Sequence, residues 1–289
     1  MGIRIPQDEK PDHPYCPMTF TGRKFKTIVS FFCSGCGYGS IAQMLCRIYA
    51  DNKLDMNNYP IVNGVGCYTM IPLILPGKTF MCLHGRGPAV ATGIKMAHPE
   101  MKPISIQGDG DALSIGTNHF IHAARRNVDM VLLLLHNKVY GMTGGQLAPT
   151  MPEEWKASTA PYGFKEYTID AVKLALTAGA TYVARWTTAH PRQFIKSMTK
   201  ALIEHKGFAL VEIVSQCPTY FGRRNDMGDP VELFNWIKDN SIHINKAKTM
   251  SERELVDKII IGEFHEERKP TLSERYMEII DSLDKEKKK

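Results

Sequence analysis

Short apolar runs alternate with polar, glycine-rich loops along most of the chain. Ile61-Val62, a run ending at His84, Ile104-Ser105-Ile106, Met130 to Leu135, Ala180 to Arg185 and Phe208 to Val214 read as strands. Between them the apolar period switches to that of helices: Ser40 to Tyr49, the small-residue stretch after Gly87, 112–128, Thr168 to Ala178 and Pro191 to His205. Strand followed by helix, repeated, predicts an α/β fold with a doubly wound, mainly parallel sheet. Residues 1–30 break the pattern, because Pro6, Pro11, Pro14 and Pro17 forbid a helix there. They read as an N-terminal arm, and 31–221 as the binding domain. Residues 222–289 read as a helical C-terminal extension, with helices near Pro230–Asn240, Ser251–Ile261 and Thr271–Lys285.

The chemistry gathers where strands end. Gly108-Asp109-Gly110-Asp111 follows one strand, and Asn137-Lys138-Val139-Tyr140-Gly141 follows the next. Asp109 and Asn137 lie 28 positions apart, and a βαβ crossover brings both loops to the carboxyl edge of the sheet, where ligands bind. A carboxylate, an amide oxygen and a backbone carbonyl are hard donors suited to Mg²⁺, which takes its remaining ligands from phosphate and water. Gly108 and Gly110 let a diphosphate approach the backbone. Met142-Thr143-Gly144-Gly145 offers further N–H groups and the Thr143 hydroxyl to anionic oxygens. Two more turns stand at the same level: Asn63-Gly64-Val65-Gly66-Cys67, and His84-Gly85-Arg86-Gly87. His84 and Arg86 are candidate catalytic residues, Arg86 through a phosphate or carboxylate. Asn118, His119 and His122 share a helical face with no further ligand nearby, so they read as packing or partner-facing.

The chain has seven cysteines, an odd count that points to metal or reduced thiols rather than a disulfide framework. Cys33-x-x-Cys36 sits in a glycine-rich loop before a helix. Cys67 and Cys217 each follow a strand, on the edge that carries the Asp109 loop. Cys46 and Cys82 lie within apolar patterns and read as buried thiols. The Cys-x-x-Cys loop fits a thioredoxin-type pair poorly, and zinc or an iron–sulfur cluster remain.

Composition narrows the partners. A net charge of +6, much of it in the Lys285–Lys289 tail, comes without a basic-aromatic array. That argues against nucleic acid and is compatible with docking an acidic protein. There is no apolar stretch long enough to span a membrane and no signal peptide, so a cytoplasmic protein is expected. A Walker-type loop and a dinucleotide fingerprint are both lacking. Thiamine diphosphate, anchored by its diphosphate through Mg²⁺, fits the loops better. Its ylid attacks a 2-oxo acid and decarboxylation leaves a carbanion; a redox cluster next to it makes one-electron oxidation of that carbanion possible.

FFCSGCGYGSI, NGVGC, HGRGPAVATGIKMA, GDGDALSIGTNHFIHAARRNVD, NKVYGMTGGQLAPT and VEIVSQCP cover most of residues 31–220. In these stretches the chain resembles the β subunit of the 2-oxoacid:ferredoxin oxidoreductases, with its greater likeness to the 2-oxoglutarate branch. The resemblance implies a fold of the thiamine-diphosphate-binding type. It implies one [4Fe–4S] cluster on Cys33, Cys36, Cys67 and Cys217. It implies Mg²⁺ on Asp109, Asn137 and the Val139 carbonyl. Gly64, Gly66, Gly108, Gly110, Asp111, Gly141, Met142 and Thr143 would then lie about the thiamine diphosphate. It also implies an α subunit that supplies the activating Glu, a heterodimer or dimer of heterodimers, and ferredoxin, coenzyme A and a 2-oxoacid as reaction partners. A branched-chain 2-oxoacid, a non-redox thiamine decarboxylase and a zinc-stabilised interaction subunit are the competing expectations.

Overall fold

The computed structural model describes residues 31–75 and 77–287. The expected N-terminal arm and Cys16 lie outside the described residues. Strands β1 (Ile61–Asn63), β2 (Thr79–Met81), β3 (Ile104–Gly108), β4 (Met130–His136), β7 (Tyr182–Thr187) and β8 (Phe208–Val214) form a parallel block in the order β2-β1-β3-β4-β8-β7. Two-residue strands β5 (Val139–Tyr140) and β6 (Gln146–Leu147) form a separate hairpin beside the sheet.

Strand β4 shows why this segment is central. All of Met130–Leu135 is buried, the continuous apolar run expected of a strand covered on both faces. Val131, Leu133 and Leu135 point to one layer, with helix α1 (Gly37–Asp51) and helix α5 (Pro191–Thr199). Met130, Leu132 and Leu134 point to the other, with α2 (Gly87–Ala97), α3 (Thr117–Arg125) and α4 (Ala171–Thr177). The chain steps outward from β1 to β2, then returns across β1 to β3. That reversal is a topological switch point, the place where loops part to leave a crevice.

Two expected helices are modified. The helix over 112–128 opens instead as a π-helical turn, Asp111–Ile115, and becomes α3 only after Gly116. The helix expected over Ser251–Ile261 does not form. Its end joins β10 (Ile259–Glu266), which pairs antiparallel with β7 and parallel with β9 (Ser241–His243). Three successive isoleucines, stiff at χ1, favour a strand there. So among the described residues after 222 the helices are α6 (Pro230–Asp239), the short α7 (Ile244–Ala247) and α8 (Leu272–Lys287), and the segment extends the sheet as well. Among the described residues no helix is long and apolar enough to cross a membrane.

Candidate active site

The loops after β1, β2, β3 and β4 surround a cavity of about 390 Å³. Asp109 forms its floor and is almost fully buried. One carboxylate oxygen accepts N–H groups from Asn137 (3.2 Å) and Lys138 (2.6 Å) and the Thr150 hydroxyl (2.6 Å); the other accepts from Gly110 N–H (2.9 Å). Hydrogen bonds of this kind fix a buried carboxylate in place. The Asn137 side-chain oxygen accepts from Val139 N–H at 3.3 Å. Asp109, Asn137 and Val139 all line the cavity, so the donor set suited to Mg²⁺ converges as one group.

Asp111, two residues on, does something different. Its carboxylate meets the Tyr68 hydroxyl, the Gly85 N–H and, at 3.1 Å, His84 Nδ1. Burial raises its pKa, and the Tyr68, His84 and Gly85 contacts oppose that rise. Gly64 is required by this packing, since a Cβ there would sit 2.2 Å from the Asp111 carboxylate. His84 Nδ1 also lies 3.0 Å from the Val65 carbonyl. With two acceptors facing it, Nδ1 carries the proton, and the other ring nitrogen, Nε2, is free for the cavity that His84 lines.

Next to this cavity the thiols converge. A methyl group on Gly141 would lie 3.3 Å from Cys67 Sγ and 4.0 Å from Cys217 Sγ. Cys36 interacts electrostatically with Cys217, Cys67 and Cys33. Burial, then mutual repulsion of thiolates, pushes Cys36 up to about 12 and Cys67 to about 11. Backbone N–H groups of Tyr38 on Cys36, and of Phe221 and Tyr220 on Cys217, act the other way. Those amides belong to the first turns of α1 and of the π-helical turn Pro218–Gly222, where free N–H groups are available to a thiolate. Gly35, at φ +74° and packed against Pro230, turns the Cys33–Cys36 loop back on the sheet edge. Among the described residues no three His, Cys, Asp or Glu side chains close on one ion, the arrangement a zinc site would need. An iron–sulfur cluster takes four thiolates, and the mutually interacting Cys33, Cys36, Cys67 and Cys217 are four.

Gly66, Gly108, Gly110, Gly141, Met142 and Thr143 line the cavity with Asp109 and Asp111. Gly64 stands behind it, against Asp111. Arg86 is exposed, caps α2 and is not part of the cavity wall. Cys46 is buried and Cys82 half-buried, outside the quartet. Three residues with no sequence signal of their own join the site. Tyr38, buried within α1, lines the cavity and lies near Asp109, Cys36, Cys67 and Cys217. The Tyr140 hydroxyl holds the Gly110 carbonyl at 2.9 Å. The Lys138 side chain is buried beside Phe221 and Trp236, and desolvation brings its pKa down to about 8.

Switch-point loops that fix an acid, an amide and a string of glycines around one cavity are the working parts of a thiamine diphosphate-binding domain. Residues 64–213 match the family described as "Thiamine pyrophosphate enzyme, C-terminal TPP binding domain". The chain is 48% identical over 255 residues to 2-oxoglutarate synthase subunit KorB of Methanocaldococcus jannaschii, covering 88% of this chain and 94% of that one. It is 42% identical over 273 residues to the KorB subunit of Methanothermobacter thermautotrophicus, covering 94% of each. A solved structure, 2-oxoglutarate:ferredoxin oxidoreductase from Magnetococcus marinus with 2-oxoglutarate, coenzyme A and succinyl-CoA bound, matches at a TM-score of 0.79. It shares 33% identity and covers 89% of this chain and 88% of that one. The chain belongs to the family of KorB subunits of 2-oxoglutarate synthase, which work in an oxidoreductase with other subunits.

Proposed function

We propose that this chain is the β subunit of a thiamine-diphosphate-dependent oxidoreductase, completed by an α subunit. The enzyme interconverts 2-oxoglutarate, coenzyme A and two oxidised ferredoxins with succinyl-CoA, CO₂, a proton and two reduced ferredoxins. The observation that carries this is the double position of Cys67. It lines the cavity and belongs to the coupled thiol quartet, so the cofactor site and the electron-accepting site share a wall. The names of the relatives and the ligands of the Magnetococcus marinus enzyme support the choice of substrate.

Asp109, the Asn137 side-chain oxygen and the Val139 carbonyl would hold Mg²⁺, which would supply positive charge for the diphosphate. Gly66, Gly108, Gly110, Gly141, Met142 and Thr143 form the surrounding cradle, with Gly64 keeping Asp111 in place behind it. When bound, thiamine diphosphate supplies a nucleophilic carbon for the 2-oxo group and an electron sink for loss of CO₂. His84, oriented by Asp111, offers Nε2 for proton transfer at the substrate oxygen. Val65, Leu83 and Met142 make the cavity mouth apolar, which limits water. Cys33, Cys36, Cys67 and Cys217 would hold one [4Fe–4S] cluster, which would supply one-electron transfer toward ferredoxin. The activating Glu comes from the α subunit, in a heterodimer or dimer of heterodimers. The free thiols are consistent with a cytoplasmic enzyme, where cysteines stay reduced.

Anaerobic co-purification with the α subunit tests this. Iron, acid-labile sulfide and thiamine diphosphate are measured, with visible and paramagnetic spectra before and after 2-oxoglutarate and coenzyme A. Faster ferredoxin reduction with 2-oxoglutarate than with 2-oxoisovalerate supports the assignment. The reverse order assigns a branched-chain substrate. A thiamine diphosphate protein without iron would be a non-redox decarboxylase, and one zinc without thiamine diphosphate would leave a structural role only.

A further inference from the structure

Between the two residues assigned to Mg²⁺ on this loop stands a lysine that no step above uses. Lys138 is 5% exposed and adopts φ +72°, a backbone conformation uncommon for a long side chain. Its ammonium lies 5.3 Å from the centre of the Phe221 ring and 5.9 Å from that of Trp236. Among the described residues no carboxylate forms an ion pair with it. Glu212, the nearby buried acid, has one oxygen on His136 (2.7 Å) and the other on Arg185 (2.6 Å). Asp109, its other acidic neighbour, is occupied by amides and Thr150. The Phe221 ring therefore carries a desolvated cation on it, while the Phe221 backbone N–H donates to Cys217 Sγ. Cys217, Val139 and Phe221 pack in one apolar cluster, with Trp155 and Trp236 against it.

We propose that Lys138 is a redox-tuning residue, placing a buried positive charge on the Cys217 side of the iron–sulfur cluster and raising its reduction potential. This rests on the cluster assignment above. Reduction adds negative charge to the cluster, and a cation in a low-dielectric wall stabilises the reduced form more than the oxidised one. The aromatic faces hold the ammonium without neutralising it. Removing the charge makes the cluster harder to reduce. If the ammonium served only to balance Asp109, its loss would change Mg²⁺ and thiamine diphosphate binding and leave the potential where it was.

The experiment compares wild type, Lys138→Met, Lys138→Gln and Lys138→Arg in the anaerobic, assembled complex. Iron and sulfide are analysed first. The cluster signal is then followed by paramagnetic resonance through a mediated redox titration, without substrate. In the Met variant the ratio of reduced to oxidised cluster at a given ambient potential falls about tenfold, which is ~59 mV for one electron. The Gln variant shifts the same way and is read alone if the Met variant loads no iron. The Arg variant, which keeps the charge, stays near wild type. A neutral variant that titrates with wild type, or an Arg variant that shifts with the neutral ones, overturns the proposal. A wild-type complex without iron and sulfide overturns the cluster assignment itself, a different and separately visible result.

Discussion

The main-chain N–H of Lys138 donates to Asp109 Oδ2 at 2.6 Å, joining loops that are 29 residues apart in sequence. Asn137 N–H and the Thr150 hydroxyl close on the same oxygen. The carboxylate is thus positioned by the fold before any cation arrives, and a prearranged donor set lowers the ordering cost of binding.

Asp109→Asn tests that arrangement. The amide keeps the shape, loses the charge and turns an NH₂ toward N–H and O–H donors. Mg²⁺-dependent affinity for thiamine diphosphate is expected to fall about 100-fold or more, roughly 2.8 kcal/mol. Calorimetry on the assembled complex measures it, and an affinity within threefold of wild type would exclude Asp109 as a ligand.

Cys36→Ala is expected to reduce iron and sulfide content and abolish ferredoxin reduction while thiamine diphosphate still binds. Cys46, buried in α1 with its thiol 3.9 Å from the Ile74 carbonyl, is the control. Cys46→Ala retains the cluster and the electron transfer. Equal iron in both variants would remove Cys36 from the ligand set.

His84→Gln and Asp111→Asn address proton handling. Each is expected to lower kcat about 100-fold, within the usual range for a displaced acid–base group, with a smaller change in KM. Steady-state ferredoxin reduction gives both readouts, and an unchanged kcat in the His84 variant would assign His84 a packing role.

Gly64→Ala forces a methyl against the Asp111 carboxylate, 2.2 Å from its nearest oxygen. Overpacking of this kind costs about 1–3 kcal/mol. A lowered Tm together with lowered kcat is expected, because the clash lies against the group that orients His84. A Tm equal to wild type would mean that the carboxylate moves freely.

A pH test lies at the opposite edge of the sheet. Burial, then the Lys102 cation, bring the His205 imidazole from 6.5 down to about 4, and its Nε2 meets the Thr181 hydroxyl at 3.0 Å. The unfolded chain takes up the proton first, so this group's contribution is present above 6.5 and is lost as pH falls toward 4. Urea midpoints for wild type are expected to drop between pH 7 and 5 more steeply than those of His205→Gln. Parallel curves would rule the linkage out.

Much of the architecture was legible in the chain. Met130–Leu135 reads as a doubly covered strand because the apolar run is unbroken and bounded by polar turns. The Asp109 and Asn137 loops could be paired from spacing alone, since a parallel crossover returns the chain to the same sheet edge. Ile259–Ile261 reads as the end of a helix because a run of isoleucines satisfies both periods; the free edge of β7 decides between them. Arg86 reads as a site residue from its turn; in the structure it is exposed, and the loop after β2 lines the cavity with Leu83 and His84. Tyr38 and Lys138 carried no signal, since an aromatic or a lysine in a helix or loop is ordinary until its neighbours are known.

The sequence by itself determined the alternation of strand and helix, the loops at the carboxyl edge and the residue types that those loops present. Those follow from local period and turn chemistry, which act over a few residues. Only the tertiary structure decided that Asp111 orients His84, that Cys67 faces both the cavity and Cys217, and that Lys138 is buried on aromatic rings. These depend on distances between segments far apart in the chain, which the packing of the two helical layers against the sheet sets.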